Sequence, residues 1–366
     1  MRRAGRVLTG VDRVERAYLR AVLADPVPAF GLIRTRYGYL LLDEDGLSSL
    51  EGPLSDGQAG DAWSLARRVS IARVPPPFLT RMLGRKLPAG VAYLNVGHSN
   101  LTPRVLRSVK AIADARISVM IHDLIPLEFP QYQRDGTPEK FAAMLSRVAR
   151  HADLIICNSA ETQRRLAAHA ADVPTSIVAH LGTDLPEPVP RELPPGLVPE
   201  PPYFVCVGTI EPRKNHAFLL DLWAEMGSAA PGLVIAGNRG WKNEDVFARL
   251  DALSPDGPIR VAHGLSDGAI AALMAGSNGL LFPSHAEGYG LPAIEAAALG
   301  VPVIANDLPV FREVLGNIPI YANVTDRYLW KKNIEAVTKE APAQAPDARF
   351  GPPDWDAHFK TVLRLT

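Results

Sequence analysis

Two short stretches hold the residue types best suited to chemistry. In the first, residues 285–295 (HAEGYGLPAIE), Glu287 and Glu295 stand eight positions apart around Gly288, Tyr289, Gly290 and Leu291. The stretch follows an apolar run of strand length and opens a helical one. Gly288 and Gly290 permit a tight turn and the close approach of a ligand. Pro292 suits the first helical position, where its missing N–H has no helical partner to lose. Ala296, Ala297 and Ala298 let that helix lie close to a sheet, and Gly300 ends it. A helix start of this kind offers unpaired N–H groups and the positive end of a dipole, which suits a phosphate. One carboxylate is then placed to meet a sugar beside the phosphates and the other to accept two hydroxyl hydrogen bonds from a ribose. A purely structural account makes Glu295 a capping-box-like residue and Glu287 a solvated loop acid. The second stretch, residues 207–215 (VGTIEPRKN), reads as a strand end, a turn at Gly208 and the adjacent cations Arg213 and Lys214 just before a helix. Paired cations at the carboxyl end of a strand suit a diphosphate, with a solvated basic turn as the plain alternative.

The elements that must position these residues alternate along the chain. Apolar runs at 117–121, 154–157, 203–207, 233–236, 279–282 and 301–305 read as strands, and segments 140–151, 160–171, 217–226, 267–275 and 292–299 as helices. Residues 11–23 form an amphipathic helix with Val11, Val14, Tyr18 and Val22 on one stripe and Arg13, Arg16 and Arg20 off it. Such alternation predicts an α/β architecture with largely parallel sheets. In residues 186–202 eight of seventeen are proline, a composition that favours a stiff extended connector. The expected organisation is two Rossmann-like domains facing across a cleft: residues 1–185, the linker 186–202, residues 203–345, and a tail 346–366 that packs back on a domain surface through Trp355, Phe359, Val362 and Leu363. A doubly wound domain normally opens with a full buried strand, yet only Arg6, Val7 and Leu8 precede Thr9 and Gly10.

The 366 residues, 47% hydrophobic and 21% charged, suffice for about two domains with a large core. Lys plus Arg and Asp plus Glu number 39 each, a balance that argues against a nucleic-acid coat. It hides an asymmetry: residues 1–185 hold 24 basic against 18 acidic side chains and residues 186–366 hold 15 against 21. The basic half suits an anionic partner such as a membrane surface or a lipid diphosphate. Cys157 and Cys206 each sit in an apolar run and read as small buried hydrophobes, so no disulfide framework is expected. No run is long enough to span a bilayer. The nine histidines lack zinc spacing. Asp43, Glu44 and Asp45 run into Gly46, which reads as a hairpin turn, so no metal site is expected. His98, His263 and His285 fall near strand ends and read as hydrogen-bonded structural residues, and Trp241 as packing beside a glycine turn.

Taken with residues 8–19 (LTGVDRVERAYL), 122–130 (HDLIPLEFP), 152–162 (ADLIICNSAET) and 236–241 (AGNRGW), the two stretches resemble, in order and over most of the chain, the retaining glycosyltransferases of family 4, also called glycosyl transferases group 1. That resemblance implies a GT-B fold, with a nucleotide-sugar donor held mainly by the C-terminal domain and the acceptor by the N-terminal one. It implies that Glu295 binds the ribose hydroxyls, that Glu287 faces the donor sugar, and that Lys214 with Arg213 neutralises the diphosphate as it leaves. Gly208, Gly288, Tyr289, Gly290 and Leu291 complete the donor site, His122 matches a cleft histidine, and Gly10 a glycine loop near phosphate and acceptor. Many family members carry arginine directly after the glycine at 208; this chain has Thr209, with Arg213 in a position to replace it. The implied activity is transfer of a hexose-type sugar from a GDP- or UDP-linked donor to a glycan or glycolipid hydroxyl in cell-surface polysaccharide biosynthesis. No cofactor, metal or nucleic-acid partner is implied, and the expected location is cytoplasmic, peripheral at the inner face of the membrane. Front-side attack and a covalent intermediate on Glu287 are the two mechanisms compatible with retention. A non-catalytic nucleotide-sugar-binding subunit, an epimerase and a phosphorylase are the rivals on the same fold.

Overall fold

The computed structural model describes residues 9–55, 59–170, 172–339 and 350–366. Thirteen strands among them form three sheets. β1 (Gly31–Arg34), β2 (Tyr39–Leu42) and β3 (Ala72–Val74) make a small antiparallel sheet. β4 (Ala92–Asn95), β5 (Arg116–Ile121), β6 (Leu154–Cys157) and β7 (Ser176–Val178) lie parallel in chain order. β8 (Tyr203–Val207), β9 (Gly232–Ala236), β10 (Ile259–Ala262), β11 (Gly279–Phe282), β12 (Val303–Ala305) and β13 (Ile320–Tyr321) form a parallel sheet ordered β10-β9-β8-β11-β12-β13. Every residue of β6, β8, β9 and β11 is buried, which is why these strands read as continuous apolar runs.

The strand order fixes where a ligand can sit. After β8 the chain moves outward through β9 and β10, then returns to the other side of β8 as β11. Two neighbouring strands whose connections leave in opposite directions open a crevice at their carboxyl ends. The 207–215 and 285–295 stretches are the loops at that crevice.

Several expectations change in detail. Asp43 to Gly46 is no hairpin turn: a helix occupies Glu44–Ser55, and Asp43 Oδ1 accepts from Gly46 N at 3.1 Å. The aspartate acts as a helix cap, and the acids behind it favour the positive helix end. The apolar run at 301–305 becomes a strand only from Val303: Val301 N still donates to Ala296 O of the preceding helix at 2.8 Å, while the Pro302 carbonyl already accepts from Leu280 N of β11. The proline-rich 186–202 segment does not stand free: Val189 N donates to Gly268 O at 3.0 Å and Leu197 is buried in the C-terminal core. The short segment before Thr9 lies outside the described residues.

The tail crosses back to the N-terminal half. Its helix Trp355–Val362 is capped by Asp354, whose side chain accepts from Ala357 N at 2.7 Å. His358 uses Nδ1 to donate to the His180 carbonyl at 3.0 Å, which leaves Nε2 to accept from the Tyr18 hydroxyl at 2.6 Å. A side chain at Gly182 would meet Trp355 at 2.4 Å, so the close seat of the tail requires glycine there. Among the described residues no helix is long and apolar enough to cross a membrane.

Candidate active site

At the end of β8, Gly208 takes φ +140, and a Cβ there would stand 3.3 Å from Lys214 Cε. The loop then folds Pro212–Lys214 into a single 3-10 turn, and Asn215, at φ 59, starts the helix His216–Met226. This turn directs Arg213 and Lys214 back over the strand end. At the end of β11, Gly290 takes φ +94 and precedes the helix Leu291–Ala298; a Cβ would meet Phe311 at 2.4 Å, so both conformation and space demand glycine.

The charged groups of the two loops pair with each other. Lys214 Nζ donates to Glu287 Oε1 at 2.6 Å and Arg213 Nη1 to Glu287 Oε2 at 2.9 Å. Arg213 Nη1 also reaches the Ala286 carbonyl at 2.9 Å, and its Nε lies 2.7 Å from Glu211 Oε1. Lys214 Nζ sits 4.7 Å from the centre of the Phe282 ring. Burial alone would push the Glu287 carboxyl up, but Lys214 and Arg213 outweigh it and hold the group down at about 2. Burial lowers Lys214 and raises Glu211, whereas the carboxylates around Arg213 outweigh burial and keep its guanidinium charged. Ionised Glu287 therefore lies clamped between two cations in a site shielded from water.

The N-terminal half closes on this cluster. His122 follows β5 and is 7% exposed. Its Nε2 lies 2.6 Å from the Val96 carbonyl, which only accepts, so Nε2 carries the proton; burial lowers the ring pKa and keeps it neutral. Nδ1 is left as the acceptor. The His98 ring packs 5.4 Å away, its own pKa driven down to about 4 by burial. Asp123 is raised by burial despite Arg213, and accepts from Ile125 N at 3.0 Å. A Cβ at Gly288 would stand 2.9 Å from the His122 carbonyl and 3.0 Å from Asp123 Oδ2, so this glycine lets the two halves touch beside the cluster.

Glu295 lies one helical turn farther in and is 4% exposed. It is ion-paired with Arg13, which comes from the first helix of the N-terminal half, Gly10–Ala24; Arg13 Nη2 also contacts Asp267 Oδ1 at 2.6 Å. Burial pushes the Glu295 carboxyl up to about 7, Arg13 counteracting it only in part. Gly10 is the first residue of that helix rather than part of a loop, and a Cβ on it would lie 3.5 Å from Leu291 Cδ1. Tyr289 is turned away from the crevice: its side chain is buried and its hydroxyl donates to the Leu181 carbonyl at 3.0 Å. His285 stacks on Tyr132 of the opposite half at 5.5 Å, and Trp241 Nε1 donates to the Tyr132 carbonyl at 2.8 Å, so both line the cleft. His263 contacts the Gly237 carbonyl at 2.5 Å and is exposed. Among the described residues no group of three His, Cys, Asp or Glu side chains is placed to hold a metal ion.

Sequence reasoning about roles overlooked Arg13, Asp123, Glu211 and Glu313. Glu313 accepts from Ala160 N at 2.6 Å and Glu161 N at 3.0 Å, so a carboxylate of the C-terminal half caps the helix Ala160–His169 of the other half. Asp123 and Glu211 lie inside the quoted motifs and were legible as neighbours. Nothing local marks Arg13 or Glu313, whose partners are more than 130 positions away.

Comparison with known proteins adds to this geometry. The profile of glycosyl transferases group 1 matches residues 194–339. The C-terminal half is a glycosyl transferases group 1 domain. It contains both loops of the cluster, and the profile of the glucosyltransferase 3-like N-terminal domain matches residues 97–180 ahead of it. The serotype-specific mannosyltransferase WbdA of Escherichia coli is 28% identical over 93% of this chain and 45% of its own length. The chain thus spans less than half of that relative. The O-antigen chain mannosyltransferase RfbU of Salmonella typhimurium is 33% identical over 40% of each chain. Among solved structures, Anabaena Alr3699/HepE in complex with UDP and glucose superposes with a TM-score of 0.58 at 18% identity over 72% of each chain. A trehalose-phosphate synthase from Burkholderia xenovorans gives 0.52 at 10% identity over 93% of this chain and 86% of its own. The fold around the glycosyl transferases group 1 domain is GT-B.

Proposed function

We propose that the protein is a retaining, metal-independent glycosyltransferase that moves a hexose-type sugar from a GDP- or UDP-linked donor to a hydroxyl of a growing glycan or glycolipid. The observation that carries this is the clamp of Arg213 and Lys214 on Glu287, set at the switch point of the larger sheet, with the His122 backbone carbonyl close against Gly288. A diphosphate entering at the start of the helix Leu291–Ala298 competes with Glu287 for the two cations. As the bond to the sugar breaks, negative charge grows on the phosphate oxygens, and the cations strengthen their hold in the transition state. They supply the charge that a metal supplies elsewhere. Glu287, released in part, turns its oxygens to the sugar hydroxyls, and neutral His122 offers Nδ1 to another. Glu295, exchanging Arg13 for the ribose, fixes the nucleoside.

Front-side attack is favoured over a covalent intermediate. Glu287 gives up only part of its pairing to the diphosphate, and a carboxylate that Lys214 and Arg213 hold down at about 2 is a weak base and a weak nucleophile. The acceptor hydroxyl attacks from the face the diphosphate leaves, and a phosphate oxygen takes its proton. The mannosyltransferase names of WbdA and RfbU support a hexose donor and a role in polysaccharide synthesis. The basic N-terminal half supports an acceptor or membrane surface that is anionic.

Thermal unfolding in the presence of GDP, UDP, ADP and dTDP tests the reading. A nucleotide at about 100 times its Kd adds about 2.7 kcal/mol, and one of the first two is expected to stabilise most. Product from the matching donor is expected to keep the donor's anomeric configuration; an inverted product sinks the mechanism.

A further inference from the structure

One carboxylate beside the cleft is left unused by the transfer mechanism. Asp123 lies just past β5, at the carboxyl end of a strand of the N-terminal half. Its Oδ1 accepts from Ile125 N at 3.0 Å, which fixes the side chain. Oδ2 accepts from no described residue, yet the side chain is only half-buried and this oxygen is not sealed from solvent. A Cβ at Gly288 would stand 3.0 Å from Oδ2, so the free oxygen lies against the loop that carries Glu287. The backbone of this corner is held from the next strand. Asn158, just past β6 and 1% exposed, donates through Nδ2 to the His122 carbonyl at 2.9 Å. Asp123 is therefore a fixed acceptor with one open oxygen beside the reacting centre.

The charge around that oxygen selects what can bind it. Burial raises the Asp123 carboxyl, Arg213 counters this in part, and the nearby Glu287 raises it further. Two carboxylates so close repel an anion, and both gain from hydrogen-bond donors. The cations around them are engaged. Arg213 and Lys214 hold Glu287 and are the groups a leaving diphosphate claims. Arg165 is ion-paired with Glu128 and Glu161, and Arg147 Nε donates to the Leu101 carbonyl at 3.0 Å. His122 spends its Nε2 proton on the Val96 carbonyl and keeps only an acceptor at Nδ1. A phosphate arriving here would meet acceptors and cations already paired. A sugar ring suits the corner, because each hydroxyl brings a donor and a hydroxyl on a carboxylate is a charge-assisted bond.

We propose that Asp123 binds the acceptor: its Oδ2 takes a hydroxyl next to the one that attacks, so the reacting end of the acceptor is a neutral sugar ring and not a lipid phosphate. This rests on the glycosyltransferase reading of the cleft and narrows its substrate class. Any anionic partner of the basic N-terminal half then sits away from the reacting centre. Holding a neighbouring hydroxyl fixes the ring, and with it the hydroxyl that lies in line for attack. Asp123 thereby determines acceptor specificity, while the cations and Glu295 answer to the donor.

Titration calorimetry on the full chain in the presence of GDP or UDP tests this without turnover, with octyl α-mannopyranoside as the probe. The parent is expected to bind the mannoside. Asp123→Asn, which keeps the bond from Ile125 N but loses the charge, is expected to bind it at least about 10-fold more weakly, with nucleotide affinity unchanged. Among mannosides lacking one hydroxyl at a time, one is expected to bind the parent about 10-fold more weakly and to lose nothing further in the variant. In transfer assays the variant should raise the KM for the mannoside and leave kcat nearly alone, and octyl phosphate should be neither bound nor glycosylated. Failure of the parent to bind the mannoside, equal loss of nucleotide affinity in the variant, or glycosylation of octyl phosphate overturns the proposal. Should the variant not fold, equal binding of every mannoside by the parent overturns it as well. A protein that binds the mannoside through Asp123 yet transfers no sugar sinks the transferase reading and leaves the acceptor site standing.

Discussion

The two halves of the molecule build their share of the cleft in opposite ways. The C-terminal half pairs its charged residues within itself: Glu211, Arg213, Lys214 and Glu287 all come from two loops at neighbouring strands. The N-terminal half sends single side chains across, Arg13 to Glu295 and Tyr132 onto His285, and receives Glu313 in return. A self-paired cluster is assembled before any ligand arrives, while groups that reach across depend on how the halves are closed. Chemistry is therefore expected to fail when the first kind is broken and to be retuned when the second is.

The largest effect should come from Lys214→Ala. It leaves Glu287 buried beside Arg213 alone, which costs about 3–5 kcal/mol of stability when a buried pair loses one partner. Steady-state assays should show kcat/KM down by about 10³; a loss under tenfold would place the diphosphate elsewhere. Next comes the Glu295 carboxyl. Its folded pKa, about 7, lies above the ordinary glutamate value, so burial favours the neutral form. Stability is full below about pH 4 and falls as pH rises to 7, by about 3 kcal/mol. Glu295→Gln should flatten that slope in thermal unfolding at pH 5 and 7, and Arg13→Ala should steepen it. Glu287→Gln keeps the shape of the clamp but removes its charge. Single-turnover measurements should show transfer slowed about 10²-fold with nucleotide affinity changed less; equal loss of both would make Glu287 a binding residue only. The smallest effect belongs to Glu313→Gln. One amide oxygen replaces two carboxylate oxygens on the helix Ala160–His169, at a cost of about 1 kcal/mol. Calorimetry should see it, while kcat stays within a few-fold of the parent; a collapse of activity would show that closure of the halves limits the rate.

The C-terminal loops were readable because each is continuous in sequence. Gly208 and Lys214, or Gly290 and the helix it precedes, lie within a few positions of each other, so the turn chemistry that shapes them is local. The helices that begin after Thr9 and Ser159 were read from their periodicity, and the structure adds the hydroxyl side chain that caps each one. The small antiparallel sheet escaped notice, since β1 to β3 are three or four residues long and β2 is buried throughout, which erases the alternation that marks a half-exposed strand. The turn assigned to Asp43 failed because the same acidic residues that make a turn also make a helix cap, and only the following residues' packing decides.

By itself the sequence determined the α/β alternation, the placing of two phosphate-suited loops at strand ends, and the family likeness carried by Glu287, Glu295, Arg213 and Lys214. Those are properties of short windows, where propensity, periodicity and turn chemistry act. The tertiary structure alone decided that Glu287 is clamped rather than solvated, that Tyr289 faces the interior, and that Arg13 holds Glu295. Each of these is a contact between segments far apart in the chain. Its energy depends on burial and on distances of a few ångströms, which no local spacing encodes.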